Sequence, residues 1–125
     1  MTQLFDKTVE GLSHSLDLHL LRHSVIMDNI ANAETPYYKS RRVDFEKALE
    51  QAVQAQEDGM PGGNIGQVEP HIYQDPDAEV GQDLNSVDMD REMAQLTKNE
   101  VKYNAITQAA KYKFSVLKFA ISEGK

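Results

Sequence analysis

The sequence predicts a mainly α-helical fold: two long terminal helices pair as a coiled coil or helical bundle, joined by a mostly irregular segment with a short helix. Three observations predict it. Apolar residues near the N-terminus recur in alternating steps of four and three, which is the 3.5-residue repeat of a helical seam. The C-terminal part repeats the alternation. Between the two, residues 57–84 hold three of the four prolines and most of the glycines, with few apolar anchors.

The first element is an N-terminal coiled-coil helix over residues 1–33. Phe5, Val9, Leu12 and Leu16, then Ile26, Ile30 and Ala33, share one stripe, with His19 and His23 filling the intervening positions. Leu18, Leu20, Leu21, Val25 and Met27 widen that stripe beyond a two-stranded seam, so the helix is expected to touch more than one neighbour. It should end near Asn32, because Thr35-Pro36 biases the chain out of the helical region.

Residues 34–84 form the connecting segment. DFEKALEQAVQAQ predicts a short helix near 44–56, and 57–84 reads as an extended loop with at most short strands around 67–73.

The C-terminal coiled-coil helix is expected over 85–123, forming one helical core domain with 1–33. Met89, Met93, Leu96, Glu100, Tyr103, Thr107, Ala110, Phe114, Leu117 and Ile121 carry its seam. Asn85 can cap it, and Asp88, Asp90 and Glu92 suit its positive N-terminal end. Lys111, Lys113 and Lys118 suit the other end, with Gly124 as the stop. Antiparallel pairing would bring His23 near Tyr103 or Glu100.

Composition argues against several function classes. The net charge of −7 lacks the clustered Lys and Arg that phosphate binding needs, so no nucleic-acid partner is expected. The charge is uneven: residues 34–85 are the acidic part, and 86–125 carry a slight basic excess. Without cysteine there is no disulfide, thiolate metal site or cysteine nucleophile. No stretch has the run of about 18 apolar residues needed for a membrane span. MTQLFDKTVEGL lacks a basic region followed by an apolar run, so it predicts no cleaved signal peptide.

His19 and His23 have a spacing that can ligate zinc, but no glutamate stands beside them, and a seam histidine reads as a packing residue. The acids at 88–92 lack the glycine and distal glutamate of a calcium loop, and GMPGGNIG lacks the strand and helix of a phosphate loop. No enzyme, cofactor, catalytic residue or metal site is expected. Two long amphipathic helices with so small a core bury little by themselves, so oligomerisation is the expected remedy.

The most informative string is DNIANAETPYYKSRRVDFE, residues 28–46. Asn29 and Asn32 place amides at the end of an apolar stripe, and Ala31 and Ala33 permit close approach. Tyr37, Tyr38 and Phe45 lie beside Lys39, Arg41 and Arg42, an interface-like mixture. Asn29, Ile30, Ala31, Asn32, Ala33, Thr35, Pro36, Tyr38 and Lys39 resemble the N-terminal signature of bacterial flagellar rod and hook proteins. Val43, Asp44 and Phe45 look like its continuation in the proximal rod subunit, and so does NSVDMDREM (85–93) with Lys98-Asn99-Glu100 and Tyr103-Asn104-Ala105. Tyr37 departs from the glycine, and Glu34 from the Asn or Asp, common at those places.

The resemblance implies a structural subunit of the basal-body rod in the periplasm, exported by the flagellar type III apparatus. Its implied partners are copies of itself, other rod subunits, the membrane-ring adaptor and the export gate. Another axial subunit of the same apparatus, or a soluble coiled-coil adaptor or chaperone, would share the helices.

Overall fold

The computed structural model describes residues 2–124, and side chains from residue 7 onward. Phe5, the first seam position expected at the N-terminus, lies outside the described side chains. Helix α1 spans Thr2–Ala31, strand β1 Arg41–Asp44, helix α2 Glu46–Glu57, strand β2 His71–Gln74, and helix α3 Met89–Glu123; a single 3-10 turn, Ile65–Gln67, precedes β2.

The two long helices run antiparallel: Asn29 of α1 meets Glu92 of α3, and ten residues earlier His19 meets Asn99. At about 1.5 Å per residue, the 30 residues of α1 and 35 of α3 make a pair on the order of 50 Å long. His19, His23, Glu100 and Tyr103 line one shallow cavity between the helices, which is the register the seam predicts.

The apolar core lies at one end of this pair and belongs mainly to α1 and the connecting segment. Leu18 and Val25 of α1 pack with Val43, Phe45, Ala52 and Val68, flanked by Leu21, Leu49 and Ile65. The connector is therefore structured where the sequence reads loop. Strand β2, at 71–74, overlaps the end of the stretch expected to hold short strands, and it pairs antiparallel with β1, which the sequence reading did not anticipate. Asp44, expected inside the short helix, closes β1, and α2 begins only at Glu46. The reason is Phe45: its backbone is non-helical (φ −152°) and its side chain is buried in the core, so the chain must turn there. α2 ends where Gly59 takes a left-handed conformation (φ 66°), as glycine readily does one residue past a helix C-cap, here Asp58.

The helix boundaries are set by side chains. The α3 N-cap is Asp88, whose carboxylate accepts from the Arg91 N–H, and not Asn85. Asn85 caps the other helix: its amide donates to the carbonyls of Asn32 (2.8 Å) and Thr35 (2.7 Å) beyond the end of α1.

Burial is graded along the pair. The only buried residues of α3 among those described are Glu92 and Asn99, and none beyond Asn99 is buried. Of the expected seam, Ile26 is buried and Val9, Leu12, Leu16, Ile30, Leu96, Tyr103 and Leu117 are half-buried. Met89, Met93, Phe114 and Ile121 are exposed. The face of α3 turned to α1 at this end runs through Glu92, Leu96 and Asn99, so the methionines beside it point elsewhere.

Candidate assembly site

The two strings singled out in the sequence, 29–45 and 85–99, meet and form one polar junction. At its centre is Glu92, with 0% of its surface exposed. Arg42 of β1 donates from Nη1 to Glu92 Oε2 at 3.0 Å. Its Nη2 lies 2.7 Å from Oε1, close enough for charge pairing though not aligned as a hydrogen bond. Arg42 Nε donates to Asp75 Oδ2 at 2.9 Å, and Arg91 of α3 reaches the same oxygen. Burial disfavours the Arg42 charge, but the Glu92 and Asp75 carboxylates outweigh it and hold the guanidinium above its ordinary pKa.

Asn29, also 0% exposed, links this cluster to the strand. Its Nδ2 donates to Glu92 Oε2 (3.1 Å) and to the Arg41 carbonyl (2.9 Å), while its Oδ1 accepts from the Arg41 N–H (3.0 Å). One side-chain amide thus imitates a strand partner on the free edge of β1. Arg22 continues the edge by donating to the Val43 carbonyl at 2.7 Å. The outer edge of β1 is therefore closed by α1 side chains, which an asparagine can do because it both donates and accepts.

A second set of bonds ties the loop after α1 to the approach to α3. Ser40 N–H donates to Ser86 Oγ, Ser86 N–H to the Tyr38 carbonyl, Tyr37 N–H to the Asp83 carbonyl, and Lys39 Nζ to the Leu84 carbonyl. Asn99 Nδ2 donates to the His19 carbonyl at 2.8 Å. His19 itself is buried edge-on against Phe45, and its Nδ1 lies 2.7 Å from the Ser15 carbonyl. Burial pushes its imidazole below the ordinary value, against that backbone contact, and the Arg22 and Lys102 charges act in the same direction as burial.

The expected assembly residues thus divide. Asn29, Val43 and Phe45 are buried in the subunit. Ile30, Asn32, Ala33, Tyr38 and Lys39 are half-buried, with Asn32, Tyr38 and Lys39 engaged internally. Ala31, Thr35, Pro36 and Asp44 are exposed, and Tyr37 is 73% exposed. The residues the sequence reading undervalued are Glu92, Asn99 and Asp75. The signal for the first two was a polar residue at a helical spacing that faces the partner helix.

Arg22 also holds Glu46 at the edge of the site, stacking over the Phe45 ring 4.3 Å away. Burial alone would raise the Glu46 pKa, but the Arg22 hydrogen bonds and charge lower it to about 2 from a reference of 4.5. A carboxyl depressed in the folded state stabilises fully above its unfolded pKa and loses that contribution as pH falls through the folded value. Glu46→Gln is therefore expected to flatten the acid limb of the stability curve between pH 4.5 and about 2. Because Glu46 is half exposed, screening holds the effect below about 1 kcal/mol. Urea melts at a series of pH values check this; an unchanged acid limb in the variant would count against the ion pair.

No helix among the described residues is long and apolar enough to cross a membrane. Among the same residues, no group of three or more His, Asp or Glu could hold a metal ion.

No protein-family model matches the chain. It is similar to the flagellar basal body rod protein FlgB of Bacillus subtilis (strain 168), at 31% identity covering 98% of each chain. It is 33% identical to the protein of the same name from Borrelia hermsii, over 94% of this chain and 98% of that one. With the one from Salmonella typhimurium it shares 29% identity, over 82% of this chain and 84% of the relative.

Proposed function

Because this chain belongs to the FlgB family of flagellar basal body rod proteins, we propose that it builds the proximal rod, with its terminal helices bundling into the wall of a tube. The chain is a structural rod subunit. The finer reading is that the tube passes torque and admits exported axial proteins. The subunit would stand in the periplasm after type III export, between the membrane-ring adaptor and further rod subunits, with the export gate beneath. It performs no catalysis in this reading.

The observation that carries the proposal is the burial gradient of the helix pair. α3 continues for 24 residues past Asn99, to Glu123, without a buried residue among those described, while Val101, Tyr112, Phe119 and Ile121 stand exposed. A helix that exposes this much apolar surface to water gains from neighbours that cover it. The polar junction at the other end then sets the angle and register at which each subunit presents its helices. On this view Asn29, Ile30, Asn32, Tyr38, Val43 and Phe45 act in assembly by fixing the subunit's shape. The helix residues Val9, Leu12, Leu16, Leu96, Tyr103 and Leu117 hold the pair together.

Deletion of the gene is expected to abolish motility, with neither rod nor hook in isolated basal bodies, and the intact gene supplied in trans should restore both. Normal filaments in the deletion strain would overturn the reading.

A further inference from the structure

Residues that face each other in an antiparallel pair alternate between exchanging hydrogen bonds and turning their backbone groups outward. Arg41, opposite Gln74, gives its N–H and carbonyl to the Asn29 amide, and the carbonyl of Val43, opposite Ile72, goes to Arg22. Both β1 residues thus point away from β2. By the same alternation, Ile72 and Gln74 point away from β1. The Asp75 N–H, which reaches the Ser40 carbonyl at 2.9 Å, has the inward sense that this register requires.

Asn29 and Arg22 cover the outer edge of β1, but among the described residues nothing does the same for β2. All four residues of the strand are exposed, Ile72 at 43% and Tyr73 at 36%. Among the described residues, no turn or loop backbone bonds to Ile72 or Gln74. Each therefore offers one N–H and one carbonyl to solvent. Pro70 and Pro76 stand two residues to either side, at the next outward positions, and have no N–H to give. The edge is blunted beyond Ile72–Gln74, yet between the prolines no lysine or bulge turns a further strand away.

Charge around the strand favours one occupant. Glu69, Asp77 and Glu79 flank β2, Asp44 stands opposite His71, and all four acids are exposed. No Lys or Arg occurs between Lys47 and Arg91. The cations brought near by the fold are Arg22, Arg41, Arg42, Arg91, Lys98 and Lys102, around a cavity that Tyr73 and Asp77 also line. They belong to α1, β1 and α3, and all but Lys98 lie within ion-pair distance of a carboxylate. Lys39 is engaged at the Leu84 carbonyl, and Lys47 is exposed at the start of α2. A second copy paired antiparallel through the same edge would set Glu69 of each chain toward Asp77 of the other, acid against acid.

We propose that the open edge of β2 takes an extended, basic segment of another protein, which adds a third strand to the sheet at Ile72–Gln74. Backbone bonds to Ile72 and Gln74 set its register, and the exposed Ile72 side chain packs beside an apolar residue of the segment. Its Lys or Arg side chains meet Glu69, Asp77 and Glu79. A third strand also strengthens a sheet that is marginal with two. The site lies outside the helix pair and does not depend on the rod reading.

The probe is a blocked peptide of about eight residues alternating Lys and Val, added to the full chain. Amide exchange at Ile72 and Gln74 is expected to slow about tenfold, with little change at Tyr73, whose N–H points into the sheet. Gln74→Pro deletes one outward N–H without touching the ladder to β1. It should weaken binding about tenfold and leave the melting temperature nearly unchanged. Gln74→Thr, which keeps the N–H, should bind like the parent. The counterpart peptide with Glu in place of Lys should fail to bind, and binding of the Lys peptide should weaken as salt is raised.

Unchanged exchange at Ile72 and Gln74, equal binding of the Glu peptide, or a Gln74→Pro chain that binds like the parent would each overturn the proposal. So would protection of these amides that rises with the chain's own concentration, which marks a second copy on the edge. None of these results bears on the rod reading, which the deletion strain decides separately.

Discussion

Replacing Glu92 by alanine is expected to destabilise the subunit by roughly 3–5 kcal/mol, the cost of breaking a buried ion pair from one side. The size follows from what is left behind. Arg42 keeps its charge, but of its two carboxylate partners only Asp75 remains, and that is shared with Arg91. Asn29 loses an acceptor for its amide, and the space vacated is closed to solvent. Measured against a total stability of about 5–15 kcal/mol for a domain, such a loss removes a large share of what holds the subunit folded. The Arg42→Leu, Glu92→Leu double variant gives the control. Removing both charges and filling the space should restore much of the loss, since the desolvation penalty disappears with the pair. Urea unfolding of the three variants checks this. A Glu92→Ala chain as stable as the parent would mean that the junction does not hold the helices.

Asn29→Asp is nearly isosteric, yet a loss of about 4 kcal/mol is expected, close to that of Glu92→Ala and greater than that of Asn29→Ala. The amide donates twice, to the Arg41 carbonyl and to Glu92, and a carboxylate can do neither. It would also set a second negative charge beside Glu92. Two carboxylates in one enclosed site raise the pKa of one of them. The sign of the pH dependence follows. With the folded-state pKa raised, the penalty is complete at high pH and is relieved as pH falls through that value. The variant should therefore gain stability on mild acidification, above the range of pH 4.5 to about 2 in which the Glu46 contribution is lost. Thermal melts between neutral and acidic pH distinguish this from a packing defect, which would show no such reversal. In cells, failure to build a rod is expected from both variants, because neither presents its helices at a fixed angle.

The helices were legible in the sequence because their signal is repetitive. A 3.5-residue alternation sustained over several heptads outweighs local noise, and Gly124 marks the end of α3 by simple chemistry, although its start lies at Asp88 and not at the Asn85 expected. The two strings at 29–45 and 85–99 were also visible as unusual, but their contact with each other was not. Asn29 and Glu92 are 63 residues apart, and a polar pair carries no periodic signature of its partner. Seam counting placed Met89 and Met93 on the interface because they are apolar. Glu92 lies between them and takes the inner position because Arg42 and Asn29 wait there. Strand β1 was hidden for a different reason. RRVD is too short and too charged to read as a strand, and its ladder is completed on one edge by side chains of α1. Asn85 was assigned to the nearer helix, whereas its amide serves the one 53 residues back.

That distant cap has a consequence in time. A chain made or threaded from its N-terminus presents all of α1 before the residue that finishes its end exists on the same side. The closure between Asn85 and Asn32 spans 53 residues, and Asn99 must come a further helical stretch later to meet His19. Loop closure of that length precedes any gain from the junction, so the last contacts form late and together. Until then α1 has its local end bonds, from the Asn32 and Ala33 N–H groups to the Asp28, Asn29 and Ile30 carbonyls, but the turn beyond it is untied and its apolar stripe uncovered. Completion of the subunit is thus timed by arrival of its final third, and a chain truncated before Asn85 lacks the tie on the turn that follows its first helix.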